Sequence, residues 1–217
     1  SNIMTMLAKG DVAFSVSLSA CSSVIGSFTM GLSFVFWSQL NPQTAELYQS
    51  LNIDSLEFLI RTTVLLVIPL LLGMTTRRLL PACAAAISPY VGTASFIGLL
   101  AFVSLTVSQS LDTMRLFGMQ IFFVILLHNL LAFLLGFSAS YLLVSNPLKR
   151  RAATFELGIQ NTGLGLVILL TQFKGLGGAA LITAGWGVWH FAGGFIVVGL
   201  YRAGHTFSTY IKKRGES

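Results

Sequence analysis

The sequence predicts an all-α, polytopic membrane protein, and three observations carry that prediction. Hydrophobic residues make up 54% of the 217, charged residues only 9%, and the mean hydropathy is +0.81. Apolar runs recur that match the roughly 20 residues a helix needs to cross a hydrocarbon core of about 30 Å. The basic residues fall in short clusters between those runs. The first observation excludes an ordinary soluble domain. The third sets nucleic acid aside despite the formal charge of +6, because clusters at span ends serve to orient a chain in a membrane. Cys21 and Cys83 lie in different apolar segments without metal-type spacing; they indicate neither a disulfide framework nor a zinc site and read as small core thiols.

The elements follow in order. Residues 1–8 make half a helix, rising about 12 Å, before the turn Lys9-Gly10-Asp11. No initiator Met, basic leader or signal peptide precedes them, so the chain is expected to be a fragment that starts near mid-membrane. Residues 12–37 form the first complete span, with Ser15, Ser19 and Ser22 on one stripe that should face protein. Residues 38–55, with Pro42, Glu46 and Asp54 and no Lys or Arg, read as an extracytoplasmic loop with room for a short interfacial helix. The span 56–76 carries Arg61, placed to snorkel, and Pro69 with Gly73, placed to kink it; Arg77-Arg78 closes it.

Pro81, Pro89 and Gly92 predict a bent start to the span 79–108, which is followed by a turn holding Asp112 and Arg115. Residues 116–144 span next and end at Ser145-Asn146-Pro147 and the cluster Lys149-Arg150-Arg151. Their central His128-Asn129 reads as an interhelical hydrogen-bonding pair. A span over 152–173, a glycine-rich turn over 174–178 and a last span over 179–201 complete the set. Trp186 and Trp189 sit near the middle of that last span and read as packing rather than an interfacial belt; the tail from Arg202 is basic and polar. Alternating these spans puts Lys9, Arg77, Arg78, Lys149, Arg150, Arg151, Arg202, Lys212, Lys213 and Arg214 on one side, leaving only Arg61, Arg115 and Lys174 of the 13 basic residues on the other. The positive-inside rule then makes the C-terminus cytoplasmic.

One segment has the wrong chemistry for lipid. Glu156-Leu157-Gly158-Ile159-Gln160-Asn161 places an acid and two carboxamides inside the span 152–173, where an ionised group near the middle costs about 2.5 to 3.5 kcal/mol even on lenient insertion scales. On a helix Glu156 and Gln160 share a face, while Gly158, Gly163 and Gly165 tolerate an unwound backbone. A broken helix offering a carboxylate, an amide oxygen and freed carbonyls is a cage for a hard monovalent cation; the bland alternative is a polar group that glues one helix to the next. Counted from the cytoplasmic ends, Ser1, Asn2, Ser15, Ser19, Glu156 and Gln160 share one level, about 8 to 14 Å in. Asn161, His128 and His190 lie somewhat deeper. Ser15 and Ser19 have their own alternative, bonding back to carbonyls of the preceding turn. Ser1-Asn2 and Gln160-Asn161 each precede an apolar half-helix and a Lys-Gly turn, running in opposite senses, which is the signature of an inverted repeat with interrupted helices.

At these residues the chain resembles the bile acid:sodium symporter family. The resemblance rests on Ser1-Asn2-Ile3-Met4-Thr5 with Leu7-Ala8-Lys9-Gly10-Asp11, on Glu156-Leu157-Gly158-Ile159-Gln160-Asn161, and on Trp189-His190. It implies an inverted-repeat transporter fold of two five-helix repeats with discontinuous crossing helices, of which this chain keeps the C-terminal part. Residues 1–10 are then the second half of a broken helix, 11–55 the last helix of the first repeat with its outer loop, 56–204 the second repeat, and 205–217 a basic cytoplasmic tail. The resemblance implies one sodium site at Ser1, Asn2, Ser15, Ser19 and Glu156, the family often having Thr in place of Ser19. It implies a second at Glu156, Gln160 and the carbonyls of Leu157 and Ile159, whose further glutamine ligand belongs to a helix outside this chain. Asn161 and His190 match positions lining the solute cavity; Phe191 stands where the family frequently has Asn.

The function implied is sodium-coupled symport of an organic anion by alternating access, bile-acid-like or another carboxylate or sulfonate. The protein is then no enzyme, takes sodium as coupling ion with no further cofactor, and sits in the plasma (inner) membrane with lipid as its solvent. Two rivals stand beside it. One is the same scaffold driven by protons with Glu156 titrating. The other is an intramembrane hydrolase using Glu156 with His128 or His190, against which the absence of H-E-x-x-H or similar spacing counts.

Overall fold

A computed structural model describes residues 1–50, 54–173 and 177–215, and its regular structure is helical throughout. The helices are α1 (Asn2–Leu7), α2 (Val12–Leu40), α3 (Pro42–Ser50), α4 (Ser55–Leu79), α5 (Pro81–Gln109), α6 (Leu111–Leu143), α7 (Pro147–Gly158), α8 (Thr162–Gln172) and α9 (Gly177–Gly215). Six candidate spans are long and apolar enough to cross a membrane, α7 and α8 together making one of them, Pro147–Gln172. Large apolar side chains point outward along all of these helices, up to Leu143 at 83% exposure, an outward face that lipid accepts and water does not. The chain is an all-α, multi-pass integral membrane protein.

Helix boundaries follow local chemistry. Asp11 opens α2 by accepting the Phe14 N–H at 2.9 Å, and Asp54 opens α4 by accepting that of Glu57 at 2.8 Å. Asn146 caps α7 through the N–H groups of Leu148 (2.8 Å) and Lys149 (3.3 Å), with Pro147 in the first helical position where its missing N–H costs nothing. Pro81 takes the same position in α5 and parts it from α4 at Leu80. Pro69 and Pro89 lie inside unbroken α4 and α5.

Four expectations need correcting. The stretch 38–55 holds the short helix it has room for, α3 from Pro42, but is less of a loop than expected because α2 runs on to Leu40, there being no glycine to stop either. Asp112 and Arg115 lie not in a turn but in the first turn of α6, as an exposed pair at 3.6 Å. The last helix does not stop at residue 201, since nothing from Arg202 onward breaks it before Gly215. Cys21 and Cys83 are exposed rather than core thiols. The predicted turn at Lys174-Gly175 lies outside the described residues.

The chain gathers into two compact units, one of Ser1–Ala20, Leu111–Thr162 and Ile182–Ser217, the other of Cys21–Ser110 and Gly163–Leu181. Within the second, Phe58, Ile168 and Phe173 form a core with Phe34, whose ring centre is 5.0 Å from those of both Phe58 and Phe173. Within the first, Met4, Ala8, Phe133, Phe155 and Val198 form a core that fixes α1 and α7 side by side. Every residue singled out as a site by the sequence belongs to that first unit.

Candidate cation site

Two helix stops hold in place the helices that carry the site. The first is the stop after Gly158. Ile159 leaves the helix with φ −107° and ψ 106°, its N–H still bonded to Phe155 at 2.9 Å, and the helix resumes only at Thr162. The Phe133 ring lies against Gly158 so closely that a Cβ there would sit 2.2 Å from its Cδ1. Asn129, buried in α6, donates its Nδ2–H to the Gly158 carbonyl at 3.1 Å, replacing a helical bond that the break removes. Gly193 of α9 makes room for it, since a Cβ there would approach Asn129 Oδ1 to 2.4 Å.

The second end is the C-terminus of α1, a helix of 6 residues and so too short to persist without tertiary support. Lys9 turns left-handed at φ 54°. Its N–H bonds to Met6 at 3.0 Å and that of Gly10 to Thr5 at 2.8 Å, a Schellman stop with lysine in the usual glycine position. Arginines take the carbonyls that remain. Arg151 Nη1 donates to Ala8 (2.7 Å) and Lys9 (3.2 Å), and Arg202 Nε to Leu7 (2.8 Å). Positive charge on carbonyls at a helix C-terminus is favourable twice over, as hydrogen bond and as dipole partner.

Five oxygen-bearing side chains converge where the N-terminal end of α1 meets α2 and α7. Ser1 Oγ donates to Glu156 Oε2 at 2.7 Å and Ser19 Oγ to the same oxygen at 2.5 Å, distances of charge-assisted bonds. The two hydroxyl oxygens are 3.2 Å apart. Asn2 Oδ1 accepts from Ser15 Oγ at 2.8 Å and lies 3.3 Å from Ser19 Oγ, whose single proton is on Glu156. Ser15 is fully buried; Ser1, Asn2, Ser19 and Glu156 are half-buried. The stripe read from the sequence thus turns Ser15 and Ser19 to the site, while Ser22 is exposed. Both serines bond across helices rather than only back along their own.

This is a set of hard donors: one carboxylate and four neutral oxygens. Among the described residues no three His, Cys, Asp or Glu side chains come together, so an ion held here meets one formal negative charge. A monovalent cation would be neutralised by it, whereas a divalent one would carry an unbalanced charge into a region of low dielectric.

The remaining predicted residues are placed differently. Glu156 and Gln160 do not share a helix face, because α7 stops between them. Leu157, Gln160 and Asn161 are exposed at the break and Ile159 is half-buried. Of the carbonyls there, that of Gly158 is held by Asn129 and that of Gln160 accepts the Thr162 N–H at 3.1 Å; neither is one of the two expected to bind an ion. His190 is buried, its ring 5.3 Å from that of Trp186, which in turn stands edge-on to His128 at 4.3 Å. His190 Nε2 and Trp186 Nε1 are buried without a hydrogen-bond partner among the described residues. Trp189 packs edge-on to Phe122 at 5.7 Å. The sequence reading missed Arg151, taken only as a topology signal, and Thr5, which lies 3.2 Å from Ser15 Oγ. Its membership of the Ser-Asn-x-x-Thr run was the available clue.

The model of the sodium bile acid symporter family matches residues 1–115, more than half of the 217. The chain belongs to that family. A protein of Bacillus subtilis (strain 168), named as an uncharacterized sodium-dependent transporter, YocS, is 30% identical over 194 residues, covering 88% of this chain and 56% of that protein. The probable sodium/metabolite cotransporter BASS1, chloroplastic, of Arabidopsis thaliana is 27% identical over 202 residues, covering 93% of this chain and 48% of its own length. Its namesake in Oryza sativa subsp. japonica is 24% identical, with 94% and 48% covered. The chain spans about half the length of these family members.

Proposed function

We propose that this chain carries the ion-binding part of a secondary active symporter that couples sodium influx to uptake of a small organic anion by alternating access. The observation that carries it is the meeting of Ser1 and Ser19 on Glu156 Oε2, with Asn2 and Ser15 alongside. Hydroxyls that donate to a carboxylate can rotate and offer lone pairs to an ion that takes that carboxylate. Sodium would then join α1, α2 and α7, which supply those ligands, into one body. A second sodium would bind Glu156, Gln160 and the carbonyls of Leu157 and Ile159. The relatives' names, sodium-dependent transporter and sodium/metabolite cotransporter, support the ion and leave the solute open.

The solute would lie beyond the ions, with Asn161 and His190 as its contacts. The N-terminal ends of α1 and α8, at Asn2 and Thr162, would favour its carboxylate or sulfonate through their dipoles. The clustered basic residues support a cytoplasmic C-terminus in a plasma membrane.

The test is thermal unfolding of the purified protein in sodium against potassium, for wild type and Glu156→Gln. A ligand at 100 times its Kd stabilises the folded state by about 2.7 kcal/mol, so sodium should raise the wild-type Tm and leave the variant unmoved. A wild type indifferent to sodium, or a variant that responds as the wild type does, overturns the proposal. Uptake driven by pH jumps at constant sodium, and not by sodium, would put a proton in the ion's place.

A further inference from the structure

Thr5 is fully buried and touches none of the charge on Glu156; its hydroxyl faces Ser15 Oγ at 3.2 Å. A hydroxyl has one proton to give. Ser15 gives its proton to Asn2 Oδ1 at 2.8 Å, an oxygen with none to return. The bond between Thr5 and Ser15 is therefore made by Thr5 donating. A cation seated among these oxygens reverses the arrangement. Asn2 Oδ1 and Ser15 Oγ must both turn lone pairs toward it, and a Ser15 O–H still aimed at Asn2 would point its positive hydrogen into the site. That proton has to swing to an acceptor where side chains are buried.

We propose that Thr5 is a positioning residue of the cation site: its hydroxyl donates to Ser15 while the site is empty and accepts the Ser15 proton when the ion binds. The inference rests on the sodium reading above and adds to it a residue outside the ion's own ligands. Loading then inverts one hydrogen bond inside the protein, with the Thr5 proton turning back to the Ser1 carbonyl, which already accepts the Thr5 N–H at 2.9 Å; neither hydroxyl is left as an unpaired donor, which is costly when buried. The Thr5 methyl has a separate task. Cγ2 occupies the space beside Gly10, where a Cβ would meet it at 2.9 Å, so the side chain packs with one branch and hydrogen-bonds with the other. That separation makes the two roles testable apart.

Thr5→Val keeps both branches and removes the oxygen; Thr5→Ser keeps the oxygen and removes the methyl. Sodium titrations of thermal stability at constant ionic strength give an apparent Kd for each. Thr5→Val should raise that Kd about 10-fold, which corresponds to about 1.4 kcal/mol, while Thr5→Ser stays within about twofold of wild type. Thr5→Ala replaces the valine variant if that does not accumulate, with the same expectation for its Kd. Wild-type affinity in Thr5→Val overturns the inference alone, and would mean that Ser15 turns its proton to the Asp11 carbonyl, which already accepts its N–H at 3.0 Å. Loss in Thr5→Ser with none in Thr5→Val overturns it in favour of packing by the methyl. A wild type without a sodium response removes the sodium reading and this inference together.

Discussion

Gly158→Ala is the sharpest test of how the break in the crossing helix is built, because local and tertiary effects predict opposite signs. In isolation alanine is the better helix former by about 1 kcal/mol, and Gly158 carries no positive φ that would penalise a side chain. The packing says otherwise. The new Cβ would lie 2.2, 2.4 and 2.8 Å from Cδ1, Cε1 and Cγ of Phe133, so something must move by about 1 Å to restore ordinary contact. The ring has nowhere to retreat: it is buried, packs edge-on to Phe155 at 6.3 Å, and has α9 behind it, where a Cβ on Gly193 would already be 3.3 Å from Cε2. If α7 moves instead, the Gly158 carbonyl leaves Asn129. Overpacking of this kind costs about 1 to 3 kcal/mol and the lost hydrogen bond about 1 more. Less the propensity gain, the variant should lose about 1 to 3 kcal/mol, or about 2 to 12 °C in Tm for a chain of this size. Thermal unfolding in detergent measures it. Phe133→Ala on the same background should return part of the loss, as expected of groups in contact. A Gly158→Ala protein as stable as wild type, or more so, would refute the account.

Two further outcomes can be read in the same assay. Asn129→Leu keeps side-chain size but leaves the Gly158 carbonyl without its donor, for a cost of about 1 to 3 kcal/mol and a weaker sodium response; an unchanged melting curve would show that the break does not depend on Asn129. Lys9→Gly relieves a non-glycine residue held at φ 54°. Relief of about 1 kcal/mol, partly offset by the greater freedom of glycine when unfolded, should raise stability by about 0.5 kcal/mol, and a lowered Tm would refute that sign.

Composition and hydropathy made the membrane fold legible, because each apolar run states its own length. Boundaries were legible where one side chain makes them: Asn146-Pro147 starts α7 and Asp11 starts α2. They were lost where a tertiary setting decides. Asp112 and Arg115 look like a turn by composition yet sit in a first helical turn, where an acid is welcome. Glu156 and Gln160 match helical spacing, but the ring of Phe133 and the amide of Asn129, 25 and 29 residues before Gly158 in the chain, are what surround the stop there. The site itself was legible by depth, since Ser1, Asn2, Ser15, Ser19 and Glu156 share one level. Sequence could not assign donors and acceptors among them, because that depends on rotamers in contact across three helices.

An unwound crossing point is expensive unless its freed backbone groups find partners. Here the partners divide into two kinds. Permanent ones stand outside the cluster of oxygens: Asn129 on Gly158, and Arg151 with Arg202 on the last carbonyls of α1. Exchangeable ones stand inside it: hydroxyl protons of Ser1, Ser15 and Ser19, each on an oxygen that an ion would claim. On the proposed reading, the permanent set would let the break persist without an ion, so that binding need not fold the site. The exchangeable set would make the two states differ by proton rotations and one charge, which would keep affinity moderate and release possible. A coupling ion needs both properties, since an ion that folded its own cage would be held too tightly to leave.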